Sequence, residues 1–208
     1  MAIQAIVTGD IVNSTKLTGP KEKKLLAALQ SVLTGYTYEF YRGDSFQLYV
    51  PDAADALKVA LLCRTAAISI SGDSRQASDI RLSIGVGKVN TPVQTLRTAK
   101  GEAFILSGRT FDELIKTDTR LAITAAPNNI LGNVALQIIA DYLNSIFKEM
   151  TEKQSTVIFE LLKGVTQQDV ADKLKKSKST INQHVSAGKW TEIDKLLQQY
   201  ENIIKQLS

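Results

Sequence analysis

Two glycine–aspartate pairs are placed where they could do chemistry. Asp10 closes the apolar, β-branched run that begins at Ile3, directly after Gly9. Asp44 follows Gly43 in the segment Tyr41-Arg42-Gly43-Asp44-Ser45-Phe46. If these runs are the first and third strands of a β-α-β-β-α-β sheet, they are antiparallel neighbours, and the end of one lies beside the start of the other. The two carboxylates then meet at one corner, with the Ile11 carbonyl nearby. Close anions in an apolar frame repel and are costly unless protonated or neutralised. Mg2+ or Mn2+ with oxygen ligands is the natural neutraliser, the more so when phosphates complete its shell. The segment Ile11-Val12-Asn13-Ser14-Thr15 comes next, and its backbone N–H groups with the Ser14 and Thr15 hydroxyls could cradle a triphosphate. The plain alternative is a pair of turns, because Gly-Asp is a common turn pair and an Asp after a strand often caps a helix.

Chemistry of a different kind is written at the other end. From Lys173 to Lys189 there are five lysines and no Asp or Glu. Thr166 fits an N-cap, and Val170, Ala171, Leu174, Ile181 and Val185 fall on the buried positions of two helices joined by the short turn Lys175-Lys176-Ser177. The run from Thr166 to Val185 looks like the helix-turn-helix of many bacterial regulators. Lys178, Ser179, Asn182 and Gln183 take the outer, N-terminal side of its second helix, where base edges are met, and Asn or Gln can pair bidentately with adenine. Lys173, Lys175, Lys176 and Lys189 surround that side and would meet phosphates. Against DNA stands the use of the same motif for protein contacts, and a lysine run is often only a solvated face. His184 is the sole histidine, which argues against a His-based metal site or triad.

The elements that must position these residues follow from periodicity. Pro20 opens a helix with Leu25, Leu26, Leu29, Val32 and Leu33 on one face, closed by Gly35. Tyr36 to Tyr41 and Ser45 to Val50 read as strands around the hairpin signal Arg42-Gly43-Asp44. Pro51-Asp52 starts a second helix with Ala56, Val59, Ala60, Cys63 and Ala67 inward, and Ile80 to Val89 supplies a fourth strand. Arg109 to Lys116 adds a helix, and Arg120 to Ala125 an edge strand. The fold class expected is α+β: a ferredoxin-like (βαββαβ) domain over residues 1–130 and an all-α helix-turn-helix domain over 131–208. The turn cluster Ala126-Pro127-Asn128-Asn129 sets that boundary. Leu136, Ile139, Leu143, Ile146 and Met150 then recur at heptad-like spacing. They form either an intramolecular packing face or the seam of a homodimer, and two heptads do not decide between them.

Composition excludes several classes. With 208 residues, 44% hydrophobic and 22% charged, the chain is neither disordered, collagenous nor stapled by disulfides. Cys63 is the only cysteine, which suits a reducing cytosol. The N-terminus has no basic n-region and reaches Asp10 too soon for a signal peptide. Lys58 and Arg64 interrupt the apolar stretch from Leu57 to Ile70, so a cytoplasmic protein with no membrane partner is expected. A formal charge of +4 permits an acidic partner.

Four pieces carry a family resemblance. Thr8-Gly9-Asp10-Ile11-Val12-Asn13-Ser14-Thr15, Tyr41-Arg42-Gly43-Asp44-Ser45-Phe46 and Arg81-Leu82-Ser83-Ile84-Gly85 resemble three consecutive blocks of class III nucleotidyl cyclase domains. Gly101-Glu102-Ala103-Phe104-Ile105-Leu106-Ser107-Gly108-Arg109 resembles the block around that family's catalytic Asn and Arg. Order and approximate spacing agree, and the whole chain is similar to SatD-like bacterial proteins. The resemblance implies Asp10 and Asp44 as metal carboxylates, Ile11 as a carbonyl donor, and Arg109 as the arginine that stabilises charge on the phosphates. It also exposes departures. The ribose-orienting asparagine falls on Ile105, which cannot donate a hydrogen bond. The base-selecting Lys or Glu falls on Phe40, which could only stack or pack, while Thr98 keeps a hydroxyl at the second base-selecting position. The family normally completes its site across a dimer.

The metal–triphosphate half thus reads as intact and the base-and-ribose half as degraded. One lost preorganised donor costs roughly a hundredfold in rate, so an efficient enzyme is not expected. The expected function is a DNA-binding transcriptional regulator whose cyclase-like domain binds a nucleotide triphosphate–metal complex. The rival is an active nucleotidyl cyclase or related phosphotransferase whose C-terminal helices serve assembly. A third reading makes the first domain a protein-interaction module.

Overall fold

The computed structural model describes residues 3–17, 19–41, 43–70 and 78–207. Arg42 of the hairpin signal lies outside them. In chain order the sheet part runs β1 (Gln4–Val12), α1 (Gly19–Leu33), β2 (Thr37–Tyr41), β3 (Ser45–Val50), α2 (Ala56–Ile68), β4 (Asp79–Gly87), α3 (Glu102–Leu114) and β5 (Leu121–Ala125). Five helices follow: α4 (Ile130–Lys148), α5 (Glu152–Leu162), α6 (Gln167–Leu174), α7 (Lys178–Ala187) and α8 (Trp190–Leu207). The strands line up β2-β3-β1-β4-β5, antiparallel except for the parallel β4–β5 pair. The fold is therefore mixed α+β, with one five-stranded sheet and helices on both faces.

Alternation along the strands assigns the two faces. Ala5, Val7, Ile11, Phe46, Leu48, Leu82 and Ile84 join Leu25, Leu29 and Leu33 of α1 and the inner face of α2 in one buried cluster. Each Val, Leu, Ile or Phe among them is worth about 1.5–3 kcal/mol when fully buried. The opposite face carries Thr8, Asp10, Ser45, Gln47, Arg81 and Ser83, and α3 crosses it. Gly85 sets how close α3 lies, because a Cβ there would stand 2.4 Å from both the Ala103 carbonyl oxygen and the Ser107 nitrogen. Two expectations shift here. Strand β1 continues past Asp10, because its ladder with β4 holds as far as Val12 opposite Asp79. Helix α3 begins at Glu102 rather than Arg109, its buried Ala103 and Ser107 seated on β4 and β1.

Helix α4 takes the heptad-like residues inward. Leu136, Ile139, Leu143 and Met150 are buried with the main cluster and Ile146 packs against it, so this face packs within the chain. Its two asparagines bind the outer edge of β5. Asn133 accepts from Ala125 N (2.8 Å) and donates to Ala125 O (3.3 Å). Asn144 accepts from Arg120 N (3.2 Å) and donates to Leu121 O (2.8 Å). The outward face is also apolar, with Ile130, Leu131, Val134, Ile138 and Tyr142 each about half exposed or more. By length and composition α4 reaches the range of a membrane-crossing helix, with mean hydropathy 1.3, although its inner face belongs to the core. The stretch from Leu57 to Ile70, named above as the apolar one, is almost wholly buried.

The later helices share the sheet's core rather than forming a separate one. α5 packs on α2, where the Ser155 hydroxyl donates to Thr65 O (2.9 Å). Tyr200 of α8 is fully buried and donates its hydroxyl to Ala53 O at 2.8 Å. Thr151 and Gln154 close a capping box on α5. α6 ends where Lys175 turns left-handed (φ 52), and Ser177 caps α7 through Thr180 N at 3.1 Å. Val170, Ala171, Ile181 and Val185 are the buried side chains between these two helices.

Candidate functional site

The two aspartates meet as their strands dictate. Asp10 stands opposite Ser45 on β3 and opposite Arg81 on β4. The Ser45 hydroxyl reaches Asp10 Oδ1 at 3.0 Å and Asp44 Oδ1 at 3.5 Å, so one hydroxyl lies between the two carboxylates. Ser14 donates to Asp44 Oδ2 at 2.8 Å. Ile11 N donates to Asp44 O at 3.0 Å. Because the N–H and C=O of one extended residue point to the same edge, the Ile11 carbonyl also faces the Asp44 loop, while its side chain is buried in the core. Asn13 is left-handed (φ 59) and makes no capping bond, and Thr15 is exposed in the 3-10 turn Ser14–Lys16.

The electrostatics follow from this crowding. Burial pushes the Asp10 carboxyl above its ordinary value; the Ser45 hydrogen bond opposes the shift, the Asp44 charge adds to it, and Arg81 opposes it. Arg81 Nη1 reaches Asp10 Oδ2 only at 3.9 Å, and its Nε is buried with no hydrogen-bond partner. Among the described residues no three of His, Cys, Asp and Glu gather as a metal cluster. Two carboxylates, a backbone carbonyl and hydroxyls are nonetheless a hard oxygen set. It fits Mg2+ or Mn2+ in the mode where substrate phosphates supply the remaining ligands.

Other expected residues fall elsewhere. Phe40 does not face this corner. It sits opposite Phe46 in the ladder and packs on that ring (5.6 Å between centroids) and on Tyr38, on the α1–α2 side of the sheet. Stacking on a base at the Asp10 face is therefore excluded for it. The β2 residues that do share the Asp10 face are Thr37, Glu39 and Tyr41. Glu39 accepts from Tyr41 (3.1 Å) and from Leu96 N (3.0 Å) and pairs with Arg97 at 3.5 Å. Alternation counted back from the inward Phe46 would have found them. Thr98 is exposed and shares a hydrogen bond with Thr95 at 2.8 Å. Arg109 and Ile105, one turn apart, lie on the exposed side of α3. Arg109 lines a cavity of about 540 Å3 between α3, β5 and α4 whose walls include neither Asp10 nor Asp44. Within one chain, then, the expected phosphate arginine and the carboxylates belong to different places.

The second candidate surface is α6–α7. Lys175, Lys176, Lys178, Ser179, Asn182 and Gln183 are all exposed. None of these six side chains has a hydrogen bond or ion pair with another described residue. The lysines around them are engaged: Lys173 pairs with nearly buried Glu160 at 2.8 Å, Lys163 with the same carboxylate at 3.5 Å, and Lys189 with Glu192 at 3.8 Å. Lys173, expected to meet phosphates, ties α6 to α5 through Glu160.

No family model matches the chain, and no curated protein matches it. Solved structures do resemble it over part of its length. A bacterial light-regulated adenylyl cyclase is 15% identical, with a TM-score of 0.43 over 59% of this chain and 76% of that one. A second structure of that description gives 15% and 0.40 over 59% of this chain, which spans 43% of its length. The catalytic core of a rhodopsin-guanylyl cyclase with converted specificity, in complex with ATPalphaS, gives 13% and 0.33 over 57% and 83%. Likeness of that order sets neither fold nor activity by itself.

Proposed function

We propose that the chain is a DNA-binding transcriptional regulator whose sheet part, a ferredoxin-like domain of class III cyclase type, binds a nucleoside triphosphate with Mg2+ or Mn2+. In this reading α6 and α7 are a helix-turn-helix. The observation that carries it is the division among the lysines. Those flanking the α6–α7 surface are engaged in internal ion pairs, whereas Lys175, Lys176 and Lys178 have no partner among the described residues and stand beside exposed Ser179, Asn182 and Gln183. Free cations around an exposed Asn and Gln on one helix are what phosphate and base contacts require.

Asp10, Asp44 and the Ile11 carbonyl would hold the ion, which when bound supplies charge neutralisation for the carboxylates and the phosphates. Ser14 and Ser45 orient the carboxylates before any ligand arrives. Reading a palindromic site calls for a second copy of the chain. The outward face of α4 suits that partner. Its five large apolar side chains, each about half exposed or more, are the kind of surface that forms the apolar centre of an interface. A reducing, cytosolic setting belongs to the same reading.

Fluorescence anisotropy on random-sequence duplexes across a salt series tests it. Retention that falls steeply with salt, and that the double variant Lys175→Ala/Lys176→Ala weakens across sequences, supports the regulator; no retention at low salt removes it. The second reading, a nucleotidyl cyclase or related phosphotransferase, is favoured by the Asp10–Ser45–Asp44 geometry. Incubation with ATP, GTP, CTP and UTP plus Mg2+ or Mn2+ decides it. A cyclic product or pyrophosphate that disappears in Asp10→Ala/Asp44→Ala would make the protein an enzyme.

A further inference from the structure

A cavity of about 570 Å3 opens where β1 ends. Val12 and Asn13 form one wall, the start of β5 a second, and the last turns of α4 a third. Its charged lining is Arg64, Arg120, Lys148, Asp79 and Asp118, three cations against two carboxylates. Arg64 is already neutralised, since Nε and Nη2 hold the Asp79 carboxylate at 3.0 and 2.7 Å and Nη1 reaches Asn144 at 3.4 Å. Arg120 has no carboxylate within ion-pair distance among the described residues: its Nη1 donates to the backbone carbonyls of Asp118 (2.9 Å) and Thr119 (3.4 Å), and the Asp79 and Asp118 charges act on it from farther off. Lys148 is exposed and likewise has no carboxylate partner among the described residues.

Register ties this cavity to the aspartate corner. Leu82 N donates to Arg120 O at 2.7 Å, which sets Arg120 beside Arg81, and Arg81 stands opposite Asp10. Burial holds the Arg120 guanidinium below its ordinary value and the Arg81 charge adds to this, against the opposing charges of Asp79 and Asp118. Adjacent like charges are costly, and an anion beside Arg120 relieves that repulsion.

We infer that this cavity is a phosphate subsite: Arg120 and Lys148 bind the polyphosphate tail of the ligand whose metal-bound part lies at Asp10 and Asp44. The assignment of the tail rests on the nucleotide reading above; the anion site itself rests on the cavity and its free cations. Guanidinium and ammonium donors at two walls fit phosphate oxygens, with Arg120 giving directional pairs and Lys148 a point charge. The exposed amide of Asn13 stands where the tail would pass from one place to the other.

Isothermal titration of the full chain with tripolyphosphate in EDTA, and separately with ATP plus Mg2+, tests this. The variants are Arg120→Gln, exposed Lys148→Gln, and Asp10→Asn/Asp44→Asn, each checked for an unchanged melting transition. Tripolyphosphate binding that Arg120→Gln and Lys148→Gln each weaken roughly tenfold or more, and that the aspartate variant spares, supports the subsite. If ATP–Mg2+ binds through the aspartates while both cation variants bind either ligand normally, the subsite is wrong and the nucleotide reading survives. If tripolyphosphate depends on Arg120 but ATP–Mg2+ ignores the aspartates, the anion site stands and the nucleotide reading falls. No tripolyphosphate binding at millimolar concentration overturns the subsite outright.

Discussion

The aspartate corner and the α6–α7 surface handle charge in opposite ways. At the corner the carboxylates are half-buried and held by neighbouring hydroxyls: Ser45 stands between Asp10 and Asp44, and Ser14 fixes Asp44. On α6–α7 the side chains of Lys175, Lys176, Lys178, Ser179, Asn182 and Gln183 are exposed and bond to no other described residue, so water and salt surround each of them. Exposed charges are screened over about 8–10 Å at ordinary ionic strength, while buried ones are screened far less. A ligand at the corner therefore meets a prearranged, salt-tolerant site. A ligand on the helices meets a loose, salt-sensitive one that must order its own contacts. Under the function proposed above, the difference is the one expected between a site for a small polar ligand and a surface for a long polyanion.

Breaking the rigid side of that comparison gives the largest effect. Arg64 is buried, clasps Asp79 with two nitrogens and stacks over the Phe147 ring at 4.5 Å. Arg64→Gln leaves Asp79 without its partner and should cost about 3–5 kcal/mol in urea unfolding; an unchanged midpoint would mean the sheet end is not fixed by this pair. On the loose side, Asn182→Ala should lower preference for the best DNA sequence by about 1–3 kcal/mol with no change in unfolding. Competition between selected and random duplexes reads that difference. Lys175→Ala/Lys176→Ala should flatten the slope of log affinity against log salt by about 1.8 and leave ATP–Mg2+ titrations untouched. Coupling between the two would show that the regions are not independent.

The smallest effect concerns pH. The Asp10 carboxyl sits above its ordinary value of 3.8, so the fold favours its neutral form. That contribution is complete below 3.8 and is lost as pH rises through the raised value. At pH 7 the ionised group works against the fold. Asp10→Asn, neutral throughout, should melt slightly higher than the parent at pH 7, with the gain closing as pH falls towards 3.8. A lower melting temperature for Asp10→Asn at pH 7 would show that Ser45 and Arg81 already outweigh the burial cost.

What was readable in the residues depended on range. Asp10 and Asp44 were legible because strand neighbours follow from topology, and Lys175, Lys176, Asn182 and Gln183 because helix periodicity puts them outside. Phe40 was misplaced because an alignment position carries no facing, while the alternation with Phe46 and Leu48 does. The pairing of Arg81 with Arg120 was not legible, since each is a single charge and only the parallel β4–β5 register joins them. Asn133 and Asn144 look like indifferent helix residues, and only the docking of α4 along β5 shows their use. The heptad-like spacing left packing and dimerisation open; the structure turns those residues inward and reveals a second apolar face that the seam had concealed.

Those two asparagines have a consequence for how the sheet can grow. They stand eleven residues apart, about 16 Å along a helix, close to the length of about 13 Å that β5 spans. Side-chain amides repeat the donor and acceptor of a peptide group, so α4 offers the ends of β5 what an added strand would. Another chain approaching by strand pairing finds that flank already answered. Any extension of the sheet, ordered or aberrant, is left to the short outer strand Thr37–Tyr41 at the far flank, where Glu39 holds the Leu96 amide.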